Sequence, residues 1–299
     1  MFSASIKNKD GNILPLTGDE PTYQLIDIVG LNPPAAQINT THIVGMDGAL
    51  FNSSYLNTRN IVLTIKINGD AEQNRLTLYR FFKTKEPCVF YYSNGRRNVQ
   101  IDGYVESVEC GLFTNAEKAQ ISIICPSTYF RDINEIVNDI SAVREAGLFQ
   151  FPFYINQGEP IEFSQTITVS DTTIVNSSES ECGMEIEVSF DDSITGLIQY
   201  LLITNETTGD WLALDCSRYG GGGLPNNAVV YISTVRGKKN IRVTEGVNTY
   251  NGFSLLVSGS TFIQLQPGNN EMSYAASTNI TVTNKTTVLV KHTDIYRGV

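Results

Sequence analysis

The sequence predicts a mainly β protein: an N-terminal α+β domain of antiparallel sheet with one helix, followed by a C-terminal β-sandwich of jelly-roll type. Three observations carry this. Thr, Ser, Asn, Gly, Val, Ile and Tyr are abundant while Ala and Lys are few, a bias toward half-buried pleated surfaces and tight turns. Clean period-2 runs occur in the first half. In the second half, short strand-like runs recur about every ten residues between turn residues, the pattern of a sandwich. With 299 residues, 41% hydrophobic and 17% charged, the chain has ordinary globular composition and fits two domains of about 150 residues.

Taking the elements in order, Ile61, Leu63, Ile65 and Ile67 fall on one face of a strand with Thr64 and Lys66 opposite. Asn68-Gly69 ends that strand. Asp70 then stands as a helix N-cap with Gln73 three residues on, a capping-box spacing. The helix is expected over residues 71–83, burying Leu76, Tyr79 and Phe82 or Phe81 as one stripe, and Pro87 follows it. Strands on either side of Asn94-Gly95 read as a hairpin with a type I′ turn. Strands at 104–110 and 119–125 form a second antiparallel pair, with Gly111 and Asn115 in the turn.

Residues 132–147 read as a linker, with helical spacing of Ile133, Ile136, Val137, Ile140 and Val143. The domains are therefore expected at 1–131 and 148–299. In the second, strands are expected at 161–169, 185–190, 201–205, 210–215, 228–233, 239–244, 261–265 and, as two, 279–290. Asp191-Asp192, Thr208-Gly209, Arg236-Gly237 and Pro267-Gly268-Asn269-Asn270 supply the turns.

Charge and motif content exclude several classes. The formal charge is −10, with 13 basic against 16 acidic residues up to Glu145 and 8 against 15 after it. Sequence-independent nucleic-acid binding needs clustered Lys and Arg, so such a role is excluded. No apolar run reaches the ~20 residues of a membrane span, so no membrane anchor is expected, and no signal-peptide core opens the chain. Five cysteines lack paired spacing and read as buried thiols, and the six Asn-x-Ser/Thr sequons are read as by-products of composition.

His42 and His292 lie in different predicted domains, and neither sits in a nucleophile motif. Glu185 and Glu187 share a strand face beside Asp191 and Asp192. A solvated face with an Asp turn explains them better than a hydrolase pair or a calcium site. Gly220–Gly223 has no Lys-Ser/Thr after it and reads as a loop rather than a phosphate cradle. Trp211 reads as a core anchor, with glycan contact as the lesser option. Asn94, Gly95, Arg96 and Arg97, beside Tyr91-Tyr92, read as a subunit-contact arm. No catalytic, metal or cofactor residue is expected, and no enzyme.

Two longer stretches resemble one known family. The first is Gly30-Leu31-Asn32-Pro33-Pro34-Ala35-Ala36-Gln37-Ile38-Asn39-Thr40-Thr41, continued by Gly45-Met46-Asp47-Gly48. The second is Ile101-Asp102-Gly103-Tyr104-Val105-Glu106-Ser107-Val108-Glu109, closed by Ile124-Cys125-Pro126-Ser127-Thr128-Tyr129-Phe130. Asn57-Thr58-Arg59-Asn60-Ile61 and Leu78-Tyr79-Arg80-Phe81-Phe82 keep the same order between them. Together they resemble the N-terminal half of the distal tail (Dit, baseplate hub) proteins of siphovirus-type bacteriophages, over nearly all of residues 1–131. The second half is similar more loosely, at Phe149-Gln150-Phe151-Pro152-Phe153, Ser233-Thr234-Val235-Arg236-Gly237-Lys238-Lys239 and Leu265-Gln266-Pro267-Gly268-Asn269-Asn270.

The resemblance implies a structural virion protein at the tail tip, assembled in the bacterial cytoplasm. It implies a homo-hexameric ring of N-terminal domains with galectin-like sandwiches projecting as an attachment platform. Implied neighbours are the tail-tube protein, the tail-associated hub or lysin protein, the tape-measure protein, and a receptor-binding protein or tail fibre. DNA would only pass through the lumen, which is expected to be neutral to acidic. The alternatives are a carbohydrate-binding module and the equivalent part of a phage-tail-like bacteriocin.

Overall fold

The computed structural model describes residues 2–18, 22–111, 117–141, 143–147, 164–168, 172–276 and 285–299. They form two compact units, one of residues 1–134 with 295–299 and one of residues 135–294.

The first unit is built on an antiparallel sheet. Its strands are β1 (Ser3–Asn8), β2 (Ile13–Pro15), β3 (Tyr23–Val29), β6 (Arg59–Ile67), β7 (Pro87–Ser93), β8 (Asn98–Cys110) and β9 (Lys118–Cys125), in spatial order β2-β1-β7-β8-β9-β6-β3. β4 (Ala36–Thr41) and β5 (Leu50–Leu56) pair only with each other. A short strand β10 (Phe130–Asp132) lies on β8. The period-2 run was a true signal: Ile61, Leu63 and Ile65 of β6 are wholly buried against Ile121 and Ile123 of β9. Each such side chain contributes about 1.5–3 kcal/mol by leaving water.

Helix α1 (Ala71–Phe81) starts where the capping residues place it, with the Asp70 carboxylate accepting from the Gln73 amide at 3.1 Å. Its buried stripe differs from the expected one. Leu78 and Phe82, four apart, enter the core, while Leu76 faces solvent. Leu76 and Leu78 are two residues apart and so about 200° apart around the helix, and only one can face the sheet.

The β7–β8 connection also differs from the type I′ turn. Ser93 pairs with Asn98, leaving four residues, 94–97, in the loop. Gly95 takes a positive φ of 82°, but Asn94 does not. Its side-chain oxygen instead accepts from the Arg96 and Arg97 amides at 3.0 and 2.9 Å, an Asx-type arrangement that competes with the I′ geometry.

In the second unit, a six-stranded sheet has the order β11 (Ile136–Asp139), β22 (Thr286–His292), β15 (Met184–Phe190), β18 (Ala228–Ser233), β19 (Asn240–Glu245), β20 (Asn248–Asn251). A four-stranded sheet has the order β14 (Thr172–Asn176), β21 (Gly268–Ala276), β16 (Tyr200–Asn205), β17 (Asp210–Asp215). β12 (Val143–Gly147) and β13 (Ser164–Thr168) form a separate pair. Alternate residues of both larger sheets are buried, among them Ile186, Val188, Val230 and Val243 on one and Ile174, Ile203, Leu212 and Met272 on the other. This is the pattern of two sheets packed by their inner faces.

Three expectations here are corrected. The helical spacing after residue 132 is not helix: Ile136–Asp139 is a strand paired with β22 (Ile136↔His292), because a sheet edge satisfies its backbone and its β-branched Ile136 and Val137 suit a pleat. Residues 261–265 form no strand. Thr261 and Leu265 instead bond individually to Trp211 and Cys182. The turn expected at 267–270 is the start of the nine-residue β21. The strand expected between 279 and 284, and the turn holding Asn115, lie outside the described residues.

Candidate functional site

The described residues include most of the candidate groups that the sequence offers. No group of three or more His, Cys, Asp or Glu among them could hold a metal ion. Cys88, Cys125, Cys182 and Cys216 are buried thiols, and burial pushes each up to about 12, far from nucleophilic thiolate. His42 is exposed and contacts the Gly48 carbonyl at 3.0 Å. His292 is buried beside the Val175 carbonyl at 3.2 Å, and burial lowers its pKa. Glu185 is a surface partner of Tyr231, whose phenol is pushed up to about 12 by burial and that hydrogen bond. Asp191 caps a turn by accepting from the Ser193 amide at 2.7 Å, and hydrogen bonds from the Ser193 side chain and then its amide hold the Asp191 pKa low.

Trp211 is half-buried, not a fully enclosed anchor. It stands on β17 opposite Thr204, and Thr204 in turn pairs with Ser273. Its ring lies beside Gly259. Gly220–Gly223 is a loop in which Gly221 and Gly222 take positive φ.

Within the 94–97 loop the residues divide. Gly95 and Arg96 are exposed. Arg97 turns to its own chain: Nη1 donates to the Gly298 carbonyl at 2.6 Å and the guanidinium lies 4.4 Å over the Tyr296 ring.

Exposed apolar side chains gather on the β4–β5 arm, whose two strands pair only with each other. The pairs Ala36↔Leu56, Ile38↔Ser54 and Thr40↔Phe51, around a bulge after Asn39, put Ile38 and Phe51 on one face and Leu50 and Tyr55 on the other. All four are exposed, Phe51 at 64%, and at the tip Ile43 and Met46 are exposed and Val44 is fully so. Of Asp, Glu, Lys, Arg and His, residues 36–56 carry only His42 and Asp47. Polar side chains tie the strands together: Asn39 donates to Ser53 at 3.0 Å and Asn52 to Thr41 at 2.6 Å.

The roots of the arm, by contrast, are fixed. Arg59 is 3% exposed and donates to the Gly30 carbonyl, to Asn32 O at 2.8 Å, to Thr128 O at 3.0 Å and to Arg297 O at 2.5 Å. Its guanidinium lies 4.4 Å over Phe130. Gly30 sits at φ 101°, where an added Cβ would run into the Asn60 carbonyl oxygen. Sequence reading passed over the arm as a site. The available signal was a run of large apolar residues with almost no charge and no clean alternation.

Residues 18–125 match the phage tail protein RIFT-related domain family. No curated protein sequence matches the chain. Among solved structures, the Dit protein of phage SPP1, described as a paradigm of the hub adsorption apparatus in phages infecting Gram-positive hosts, is similar with TM-score 0.65 and 14% identity, over 98% of each chain. Two chains from the phage P2 baseplate in its activated conformation are also similar. One, with Ca, gives TM-score 0.52 and 11% identity over 100% of each chain. The other, with Sr, gives 0.53 and 11%, over 97% of this chain and 98% of that one. Residues 18–125 thus resemble a phage tail protein RIFT-related domain, and the fold is similar to that of the SPP1 Dit protein over 98% of each chain.

Proposed function

We propose that this chain is the distal tail protein of a long-tailed phage and closes into a hexameric ring that joins the tail tube to the baseplate at the tail tip. Its second unit serves as the platform for a receptor-binding protein or tail fibre. The observation that carries this reading is the arm. A two-stranded hairpin alone is marginally stable in water, and this one exposes apolar side chains on both faces and at its tip. An exposed apolar surface of that kind marks an interaction site. A closed ring needs a heterologous contact, one surface of each copy against a different surface of the next. A projecting arm fits that requirement, and Gly95 and Arg96 at the exposed β7–β8 loop are candidates for the receiving side. The work is structural and non-enzymatic. The tail-tube, tape-measure and hub or lysin proteins are the neighbours such a ring would meet.

The test is the mass of the full-length protein by light scattering with negative-stain imaging, for wild type and Phe51→Glu. Wild type is expected to form rings of about six copies. The variant, which places a charge where an aromatic anchor would be buried, should lose about 2 kcal/mol or more per contact and run as a protomer. A wild type that stays a protomer at its highest soluble concentration, or a ring indifferent to F51E, would overturn the reading.

The carbohydrate-binding reading retains one observation, the half-exposed Trp211 on the outer face of the four-stranded sheet. A glycan-dependent rise in thermal stability, abolished by Trp211→Ala, would support it.

A further inference from the structure

The last described residues of the chain lie against the root of the arm, although more than 230 residues separate them from it in sequence. β23 (Ile295–Tyr296) pairs with β10 through Phe130↔Tyr296 and Arg131↔Ile295. From there the chain runs under residues 30–33. The Val299 amide donates to the Leu31 carbonyl at 3.2 Å. Gly298 passes so close to Pro33 that an added Cβ would stand 2.8 Å from its Cδ and 3.0 Å from its nitrogen. Arg59 donates from one guanidinium both to the arm root, at Gly30 and Asn32, and to the tail, at Arg297. Arg97 also holds the tail, through the Gly298 carbonyl and the Tyr296 ring. Tyr296, Val299 and Leu31 all pack on the core of the first unit.

The second root is held by the same neighbourhood. The Thr128 hydroxyl donates to the Asn57 carbonyl at 3.0 Å, one residue past the end of β5. The Thr128 carbonyl in turn accepts from Arg59.

We infer that residues 295–299 are a buttress that sets the direction of the β4–β5 arm, so that Arg97 and Gly298 act as positioning residues for assembly without themselves touching a neighbouring copy. The physical argument is one of constraint. A two-stranded arm pivots at its two roots. Its own hydrogen bonds do not fix its direction, and only packing at the roots can. Here one root is wedged between β6 and the tail, through contacts that need a residue without a side chain at Gly298 and a five-donor guanidinium at Arg59. Because the chain makes the tail after the second unit, the arm takes its final direction only when the whole chain is folded. A free first unit lacking residues 295–299 would present a loosely aimed arm.

This inference rests on the ring reading above, and the experiment separates the two. Full-length wild type, Arg97→Ala, Arg97→Lys and Gly298→Val are compared by hydrogen exchange with mass spectrometry and by light scattering. The far-UV spectrum of each variant checks that the fold is kept, and R97K is the mild variant should R97A or G298V fail that check.

The expected result is exchange about tenfold or more faster in peptides covering residues 293–299 and also in those covering 28–35, from the loss of a charge-assisted hydrogen bond. Ring formation should move to higher concentration in the same order as the exchange. If exchange rises at 293–299 while 28–35 and ring formation match wild type, the tail is anchored but does not aim the arm, and the inference is overturned. If wild type forms no ring, the ring reading fails, and coupling between the two peptides still decides whether the tail braces the arm root.

Discussion

Replacing Arg59 with Met removes the cation that gathers four carbonyls, and its cost follows from the geometry. The guanidinium is 3% exposed and donates to Gly30, Asn32, Thr128 and Arg297, with no carboxylate among these partners. Burial lowers its pKa, as expected for a cation stabilised by dipoles rather than by an anion. Each hydrogen bond from a charged donor is worth about 1.5–3 kcal/mol, and the contact over Phe130 about 0.5–2 kcal/mol. The full sum is an upper bound. Asn32, Thr128 and Arg297 lie at or near the surface, so their carbonyls regain water, and Met fills most of the volume. A loss of about 2–5 kcal/mol remains, from the hydrogen bond to Gly30 and the contact over Phe130.

The assay separates the units. Trp211 is the sole tryptophan and lies in the second unit, so its fluorescence follows that unit in urea while far-UV circular dichroism follows both. R59M should bring a circular-dichroism transition to lower urea and leave the tryptophan midpoint in place. A shift below about 1 kcal/mol, or equal shifts in both probes, would refute the account of Arg59 as the local clamp of the first unit.

Three further outcomes are expected. Asn270, fully buried, accepts from the Gln266 amide and from Asn205 and donates to Gln266 and Gly268. Asn270→Leu strands those groups and should lower the tryptophan-detected stability by about 2–4 kcal/mol. His292 is held neutral by burial, with its folded pKa below the ordinary 6.5 and Asp294 opposing the shift. Above pH 6.5 it contributes nothing. As pH falls below 6.5 the unfolded chain takes up a proton that the folded one resists, so stability of the second unit should fall by at most about 1.4 kcal/mol per pH unit, a slope that His292→Gln removes in urea titrations at pH 7 and 5.5. A thiol reagent at neutral pH should label Cys110, which is half-buried, and spare Cys88, Cys125, Cys182 and Cys216, whose pKa values burial raises to about 12. Fast labelling of any of those four in the native protein would contradict their described burial.

Local pattern was enough to read much of this molecule. Strand β6, the Asp70 cap, and strands β15 to β19 follow from alternation and turn chemistry, because those signals act within a few residues. Composition alone marked the protein as mainly β. Two stretches in the first 131 residues carried the resemblance to distal tail proteins, and the family match at residues 18–125 agrees with them.

Tertiary structure decided what depends on partners distant in sequence. Helical spacing after residue 132 could not report that β22, some 150 residues later, offers an edge for β11 to pair with. The 94–97 loop gave no sign that Arg97 is taken by the chain's own tail at Gly298. The arm escaped notice because a strand exposed on both faces has no buried side to impose an alternation of apolar and polar residues. Periodicity records which face a residue turns to the core, and it is silent where no core is present. Long-range pairing and unpartnered surface are properties of the folded chain as a whole, and they are where the candidate site of this protein lies.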